Sequence, residues 1–485
     1  MRRALAGLGA LVLALGAYVT ADIFDLAPGV LTTALPSARI PAVPTATGGS
    51  AVADPDTPAP VPSAAASAAA PLAIAAQDSP LPTKAGLAAA LARALADAGL
   101  GSSVGVTVRD GRTGAHLLDV SAQVPRIPAS TAKLLAATAI VSTLDPAMMF
   151  TTRAVRGAST GRVTDVLLVA GGDMLLSPGK GKPAAVAGRA GLADLAEQTA
   201  LALNAQGVTR VRLRIDDRYA AGADYAPGWR TADIAYGLTG PVAMLGLSTQ
   251  RPVRGNAAPR DPASSAAKAF RRLLVGHGLT VARTIDRAAA PVGSPDLGLV
   301  RSAPLTDVLA LALADSDNAL TESLARQAAV KAGAGTSFAA VAAWAKDTVS
   351  AKGIDMEGVT LIDTSGLSGG NLVPARVLGD ALALGAGGQD PALQEVVAQL
   401  PVAGLSGTLA ERFRRGPAHA AAGIARAKTG TLTGASGLAG TVVDRDGRLL
   451  TFAILADRIP AGVGTLTARA ALDRFVATLA SCGCR

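Results

Sequence analysis

Residues Ile127–Ile140 read IPASTAKLLAATAI and place a serine and a lysine three residues apart at the entrance to an apolar helix. Pro128 and Ala129 are typical of a helix entrance, and Ser130 suits an N-cap or the first turn. Lys133 begins a run of strong helix formers. A spacing of three places the Ser130 hydroxyl and the Lys133 amine side by side on one helix face. A lone S-x-x-K is more often a capped helix with a solvated lysine, so the rest of the chain has to decide its role.

Two further motifs lie downstream, each in the context that serine acyl transfer needs. SDN, at Ser316–Asn318, stands at a break between two apolar helical runs, and KTG, at Lys428–Gly430, lies in a predicted strand. Each tripeptide alone is common, and a mid-helix cluster of Ser, Asp and Asn usually only caps a helix. Together and in this order, S-x-x-K, S-D-N and K-T-G are the signature of the active-site serine penicillin-binding proteins and β-lactamases.

The residue types of the first two motifs fit nucleophilic catalysis. A serine hydroxyl is a weak nucleophile and needs an adjacent base. Lys133 can be this base for Ser130 if burial or cationic neighbours lower its pKa toward neutrality. Ser316 can relay a proton to the leaving amine, and Asn318 can orient Lys133 and hold the substrate amide.

The third motif suits substrate binding. Lys428 and Thr429 offer a cation and a hydroxyl group to a substrate carboxylate. An oxyanion hole needs two backbone N–H groups. Those of Ser130 and of Thr431, which follows Gly430, are the candidates.

Over nearly the whole folded region, from about Thr83 to the C-terminus, the chain resembles one family of penicillin-binding proteins. It is similar to the D-alanyl-D-alanine carboxypeptidases/endopeptidases of the class C low-molecular-mass group (peptidase family S13). The similarity lies in VAGGDMLLS (Val169–Ser177), IDDRYAAGADYAPGW (Ile215–Trp229), LIDTSGLSGGNLVP (Leu361–Pro374) and LPVAGLSGTLAERF (Leu400–Phe413). In the first of these segments Met174 replaces the usual proline.

The resemblance implies both an activity and its residues. Ser130 would be the acyl-enzyme nucleophile and Lys133 its base. The second motif would be filled by Ser316 and Asn318, and the third by Lys428, Thr429 and Gly430. The implied substrate is the D-Ala-D-Ala end of peptidoglycan stem peptides, or the cross-bridges for an endopeptidase, and β-lactams would acylate the same serine. The prediction includes no cofactor and no metal ion.

One departure from the family concerns specificity. After SGLS many members carry an arginine that resembles a clamp for the acidic end of the stem-peptide side chain, and here the position is Gly369. The clamp is then absent unless Arg376 or another arginine replaces it. Asp216 and Leu432 are the remaining candidates for side-chain contacts. We therefore expect weaker selectivity for a free side-chain carboxylate.

The predicted fold is α+β. Two strands near the N-terminal side, SVGVTVRD and AHLLDVS, and three near the C-terminus, ARAKTGTL, SGLAGTVVD and RLLTFAILAD, predict one antiparallel five-stranded sheet flanked by helices. The resemblance implies a penicillin-binding protein/serine β-lactamase-like transpeptidase domain. We assign residues 83–148 and 301–485 to this catalytic domain, and residues 149–300 to a smaller domain inserted in it.

The N-terminal part of the chain predicts export. Arg2 and Arg3 precede an apolar run, so residues 1–25 are predicted to be a signal peptide or an N-terminal membrane anchor. Residues 26–82 are rich in proline and alanine and poor in large apolar residues, which is typical of a disordered linker. The protein is therefore expected in the periplasm or cell wall, secreted or anchored at the outer face of a membrane.

Composition excludes some partners. The net charge of +9 suits an anionic surface, but aromatic residues make up only 3% of the chain, and no long basic run is present. Nucleic acid is therefore not a predicted partner. The only cysteines, Cys482 and Cys484, could form a strained local disulfide or stay free thiols, and they lack the further ligands of a metal site.

Three alternatives remain open at this point. A β-lactamase would share the motifs, but the glutamate segment that usually activates the deacylating water is not evident. A non-catalytic penicillin-sensing or wall-binding domain is the second alternative. The third is an α/β-hydrolase, with GLSGG centred on Ser368 as nucleophile elbow followed by Asp380 and His419. We expect His116, His277 and His419 to be ordinary surface histidines.

Overall fold

The computed structural model describes residues 79–485. The predicted signal peptide or anchor, and all of the predicted linker up to residue 78, lie outside the described residues. Within residues 79–485, no helix is long and apolar enough to cross a membrane.

The described region contains both helices and strands. The strands are β1 (Ser103–Asp110), β2 (His116–Val120), β3 (Pro125–Arg126), β4 (Met149–Thr160), β5 (Val163–Val169), β6 (Asp173–Leu176), β7 (Arg210–Asp216), β8 (Leu245–Leu247), β9 (Thr280–Val281), β10 (Asp286–Arg287), β11 (Asp296–Pro304), β12 (Val373–Pro374), β13 (Arg426–Leu432), β14 (Ala435–Val443) and β15 (Leu449–Asp457). The α-helices are α1 (Lys84–Leu95), α2 (Lys133–Val141), α3 (Leu192–Asn204), α4 (Thr231–Ala235), α5 (Pro262–Gly276), α6 (Leu305–Ala314), α7 (Asn318–Lys331), α8 (Phe338–Ala351), α9 (Ala375–Ala386), α10 (Pro391–Ala398) and α11 (Thr465–Ser481).

The predicted five-stranded sheet is confirmed. Its order is β13-β14-β15-β1-β2, and every neighbouring pair is antiparallel. Side chains alternate across the sheet, so Phe452 and Ile454 of β15 pack in the core that contains residues of α1 and α11. Ala453 and Leu455 face the other core, which contains α2 and α9. The sheet is therefore covered on both faces, which fits the expectation of a sheet flanked by helices.

A second, mixed sheet is built from the middle of the chain. Its order is β10-β7-β5-β4-β11, with β9 also pairing to β7. β5 and β7 are parallel, whereas β4 pairs antiparallel with β5 and with β11. Apolar residues of this sheet share a core with α3 and α5. The assignment of residues 149–300 to a separate inserted domain stays a prediction.

The helix that follows Ser130 lies at the centre of the molecule. Every residue of α2 is buried, which explains why this helix is apolar on all sides. It begins later than the sequence predicts. Ser130 lies in a 3₁₀ turn, Ala129–Ala132, and does not cap the α-helix. Ala129 has a φ of +46°, which bends the chain sharply just before the serine.

The two cysteines at the C-terminus are paired. Cys482 and Cys484 form a disulfide in the structure. The backbone N–H of Thr83 donates a 2.7 Å hydrogen bond to the carbonyl of Cys484, so this end of the chain lies against the start of α1.

Candidate active site

The three motifs come from three separate elements that meet at one edge of the five-stranded sheet. Ser130 lies in the 3₁₀ turn before α2, Ser316–Asn318 joins α6 to α7, and Lys428–Gly430 lies in the edge strand β13. A Cβ atom added to Gly430 would lie 2.5 Å from the carbonyl oxygen of Pro128. Glycine therefore allows β13 to pass directly against the turn of Ser130.

Lys133 is the centre of the arrangement. Its side chain is fully buried, and its Nζ lies 3.1 Å from Ser130 Oγ. The same nitrogen donates to Asn318 Oδ1 and, at 2.7 Å, to the carbonyl of Ser365. Three acceptors match the three hydrogens of an ammonium group, which explains how a lysine can be buried here.

Burial also prepares this lysine for proton transfer. Complete burial lowers the pKa of Lys133 to about 8, although the carboxylates of Asp363, Glu322 and Asp317 favour the charged form. The amine therefore loses its proton far more readily than that of an exposed lysine. The neutral form is the protonation state that a general base for Ser130 requires.

The loop between α6 and α7 presents two of the predicted residues. Ser316 has a φ of +57°, an uncommon conformation for a residue other than glycine. Asp317 caps α7 by accepting from the backbone N–H of Leu320, and it also binds Arg251 at 2.8 Å. Asn318 donates from Nδ2 to the carbonyl of Leu238 at 2.7 Å, so its Oδ1 is directed toward Lys133.

Lys428 forms a second serine–lysine pair. Its Nζ lies 2.9 Å from Ser316 Oγ and 3.0 Å from the carbonyl of Thr429, and its side chain is fully buried. Burial, the Lys133 amine and the Arg412 guanidinium hold the pKa of Lys428 well below its ordinary value. Two lysine amines in one dry site therefore disfavour each other's protonation.

The predicted residues after Lys428 follow the edge of β13. Thr429 donates from Oγ1 to Thr408 Oγ1 at 3.0 Å. Thr431 and Leu432 are half-buried. Leu432 packs against the apolar core of the second sheet. The structure thus brings together Ser130, Lys133, Ser316, Asn318, Lys428 and Thr429, as the motifs predict, but their individual roles stay predictions.

The family follows from comparison with known proteins. The model of the D-Ala-D-Ala carboxypeptidase 3 (S13) family matches residues 87–257 and 248–479. The chain belongs to the S13 family. The resemblance noted in the motif segments is therefore confirmed.

Individual relatives are similar in sequence over most of the chain. Carboxypeptidase DacB of Mycolicibacterium smegmatis is 38% identical over 463 residues, which cover 95% of this chain and 97% of the relative. A carboxypeptidase of Mycobacterium tuberculosis is 36% identical over 411 residues, covering 83% of this chain and 85% of the relative.

The fold is also found in a solved structure. Penicillin binding protein 4 (dacB) from Haemophilus influenzae superposes with a TM-score of 0.65 at 20% identity, covering 82% of this chain and 98% of that protein. The predicted penicillin-binding protein fold is therefore confirmed.

The tentative specificity residues of this S13 protein have other partners. The Asp216 carboxylate binds Arg218 at 2.9 and 3.0 Å and accepts from the Ala290 N–H at 2.7 Å. These hydrogen bonds explain how the Asp216 carboxylate can be buried. A role of Asp216 in specificity stays a prediction. Arg376 donates to the carbonyls of Asp355 and Glu357 at 2.7 and 3.0 Å. It is therefore held at another loop and does not replace the arginine missing at Gly369.

The α/β-hydrolase alternative is wrong. Ser368 is buried and donates to the carbonyl of Pro227 at 2.9 Å. Asp380 binds Arg109, and a ring nitrogen of His419 lies 3.3 Å from the carbonyl of Phe413. The three residues have separate partners, so they do not form a triad.

Sequence reasoning missed the buried carboxylates around Lys133. Glu322 and Asp363 are both fully or almost fully buried, and both bind the loop that follows Asp363. A signal was present, because Glu322 lies one helical turn after Asn318 and therefore on the same face of the helix. The polar segment DTSGLS is also uncommon in so apolar a chain.

Proposed function

We propose that this S13 protein is a serine-type D-Ala-D-Ala carboxypeptidase that trims peptidoglycan stem peptides through an acyl-enzyme on Ser130. The observation that carries the proposal is the buried Lys133 amine, 3.1 Å from Ser130 Oγ, with its other hydrogen-bond partners fixed. The names of the S13 family and of the relatives support the same activity.

Acylation begins when Ser130 Oγ attacks the carbonyl carbon of the penultimate D-alanine. Its proton passes to the neutral Lys133 amine as the C–O bond forms. The backbone N–H groups of Ser130 and Thr431 stabilise the oxyanion of the tetrahedral intermediate. When the C–N bond breaks, Ser316 relays to the leaving D-alanine amine the proton that Lys133 took from Ser130, so Lys133 is neutral again for the next step.

The second serine–lysine pair supports both binding and proton transfer. Lys428, whose Nζ lies 2.9 Å from Ser316 Oγ, holds this hydroxyl in place for the relay. Lys428 and the Thr429 hydroxyl also bind the terminal carboxylate of the substrate, and Gly430 keeps the strand close enough to Ser130 for both interactions. Water then hydrolyses the ester, which releases the shortened peptide and restores the serine.

The same chemistry makes Ser130 the target of β-lactams, because opening of the lactam ring leaves an ester on the serine and no departing amine. An endopeptidase reaction on peptidoglycan cross-bridges requires the same acylation step with a larger leaving group. Since peptidoglycan lies outside the cytoplasm, the protein acts there, exported by its N-terminal segment and either released or anchored at the membrane.

The test uses the full chain with a peptide that ends in D-Ala-D-Ala. We expect stoichiometric D-alanine release, covalent labelling by a fluorescent penicillin, and loss of both in Ser130→Ala without loss of fold. Labelling that persists in Ser130→Ala would contradict the assignment of the nucleophile. Rapid turnover of the penicillin would favour a β-lactamase, and absence of labelling would favour a non-catalytic domain.

Muropeptide analysis separates the two peptidase activities. Mass spectrometry before and after exposure to the enzyme would show loss of terminal D-alanine for a carboxypeptidase and conversion of dimers to monomers for an endopeptidase. We expect the first change to be the faster.

A further inference from the structure

One buried carboxylate has no part in the steps above. Glu322 lies in α7, one turn after Asn318, and is only 1% exposed. Its oxygens accept from the Thr364 N–H and the Thr364 hydroxyl, both at 2.8 Å, and from the Ser365 N–H at 2.6 Å. The helix that carries Asn318 therefore also binds the loop that contains Thr364 and Ser365, on the other side of Lys133.

Glu322 binds Ser365, the loop residue that contacts Lys133. The Ser365 N–H binds Glu322, while the Ser365 carbonyl accepts the 2.7 Å hydrogen bond from Lys133 Nζ. Asp363 fixes the next part of the loop by accepting from the N–H groups of Gly366 at 2.6 Å and Ser368 at 2.7 Å. Ser365 is thus held from both sides, and its carbonyl has a set direction.

A fixed carbonyl matters because a neutral lysine amine has two hydrogens and one lone pair. If Asn318 Oδ1 and the Ser365 carbonyl accept the two hydrogens, the lone pair is left for the Ser130 hydroxyl. Asn318 is already oriented by the carbonyl of Leu238. The direction of the lone pair therefore depends on both acceptors, Asn318 Oδ1 and the Ser365 carbonyl. Glu322 holds the Ser365 carbonyl in place through its hydrogen bond to the Ser365 N–H.

The charge around the amine acts on its protonation and favours the charged form over the neutral one. The groups that surround this cluster are carboxylates and cations: Asp317, Glu322 and Asp363 near Lys133, with Lys428, Arg251, Arg326 and Arg412 near these. Burial and the neighbouring Asp363 raise the pKa of Glu322 to about 7. The negative charge of Glu322 favours the protonated form of Lys133.

We infer that Glu322 is a positioning residue for acylation. It orients the Lys133 amine through the Ser365 carbonyl, and its negative charge balances the positive charge of the protonated amine. The inference rests on the proposed function, since it assigns a role in the acylation of Ser130. It concerns a residue that does not itself contact the substrate.

The test measures the acylation rate constant of the full chain with a fluorescent penicillin as a function of pH. Glu322→Gln keeps the shape and a hydrogen-bond acceptor but removes the charge. We expect the acidic limb of its profile to move to lower pH by roughly half to one unit, because Lys133 loses its proton more readily. Glu322→Ala also frees the loop and should lower the rate constant by about 10- to 100-fold.

Two further variants separate positioning from stability. Glu322→Asp keeps the charge and should keep the wild-type pH profile with an intermediate rate. Ser323→Ala, the matched control, removes a buried hydroxyl that donates to Ala243 at 2.9 Å, away from Lys133. It should lower the melting temperature without moving the profile.

The outcomes are distinct. A Glu322→Gln profile that coincides with wild type, with only the stability loss seen in Ser323→Ala, would overturn the inference and leave the proposed function standing. A wild-type protein that is never acylated would overturn both. A shifted acidic limb in Glu322→Gln, restored in Glu322→Asp, supports the positioning role.

Discussion

Gly366 lies so close to Ala129 that a Cβ atom on the glycine would overlap the carbonyl oxygen of Ala129. The φ of Gly366 is +80°, a region that residues with side chains rarely adopt. This approach places the loop of Ser365 directly against the turn of Ser130. The close approach of the Ser365 loop to the Ser130 turn therefore requires glycine at position 366.

Gly366→Ala should both destabilise the protein and impair acylation. The left-handed φ alone costs about 1–2 kcal/mol for a residue with a Cβ atom, and the overlap adds to this. Because the loop must move away from the turn, we expect labelling by penicillin to slow at least roughly 10-fold. Thermal unfolding and labelling kinetics measure the two effects. Gly369→Ala is the control, since it is exposed and its Cβ would meet nothing within 4 Å. Equal effects of both substitutions would contradict the argument.

The two lysines should differ in what they do. In the proposed mechanism the neutral Lys133 amine is the base, and burial lowers its pKa to about 8, so the acylation rate should rise as pH increases through about 8. Lys133→Ala should remove this dependence and about 10²–10⁴-fold of the rate. Lys428→Ala should mainly weaken binding of substrates that carry a carboxylate. Stopped-flow labelling and peptide kinetics across pH 6–10 separate rate from binding. If Lys133→Ala and Lys428→Ala each changed substrate binding and left the rate constant unaltered, this division of roles would be wrong.

Asp173 predicts a pH-dependent stability. Its Oδ1 accepts from the Leu175 N–H at 2.7 Å, but among residues 79–485 its buried Oδ2 has no hydrogen-bond partner. Burial raises the pKa of Asp173 to about 7, above the unfolded value of 3.8. The folded state therefore binds the extra proton, and stability falls as pH rises from about 4 through about 7.

Asp173→Asn should remove the loss of folding stability that wild type shows as pH rises. Relative to wild type, the variant should gain on the order of 1–3 kcal/mol between pH 5 and pH 8. Unfolding in urea at the two pH values measures it. Glu322 has a raised pKa of the same sign, but it is common to both proteins and cancels in the difference. Parallel stability curves for the two proteins would contradict the prediction.

Much of the fold and the motif residues could be predicted from sequence, for identifiable physical reasons. Strands β13 to β15 are apolar runs of the right length with a turn between them, and they pair next to the N-terminal hairpin as expected. The motif residues also meet in the structure, where Lys133 lies next to Ser130 and Lys428 next to Ser316. Local patterns carry this information, since each residue's type and spacing limit its role.

The remainder depends on contacts that no local pattern contains. Glu322 meets Ser365 through packing of α7 against a loop, and that loop has no periodicity. The Asp216 carboxylate accepts a hydrogen bond from the backbone N–H of Ala290, which lies 74 positions later in the chain. The 3₁₀ turn of Ser130 was not predicted either, because alanine rarely adopts the left-handed φ that Ala129 has.

Gly369→Arg should increase selectivity for a free side-chain carboxylate. The position is exposed, a Cβ atom there would meet nothing within 4 Å, and Arg376 is bound to the loop of Asp355 and Glu357. An arginine can bind a substrate carboxylate through two parallel hydrogen bonds. We expect the variant to prefer a stem peptide with a free side-chain carboxylate over its carboxamide by about 10- to 100-fold more than wild type, which corresponds to ~1.5–3 kcal/mol.

The measurement is kcat/KM on two peptides that differ only in that terminal group. Gly369→Gln is the matched control, because it has similar length and hydrogen-bonding capacity but no charge, and it should leave the ratio near the wild-type value. Wild type itself should discriminate weakly. A wild-type preference of about a hundredfold or more for the free carboxylate would show that another cation already binds it, since one charge-assisted contact accounts for a factor of that size. Gly369→Arg would then add little, because a carboxylate that is already paired gains less from a second cation.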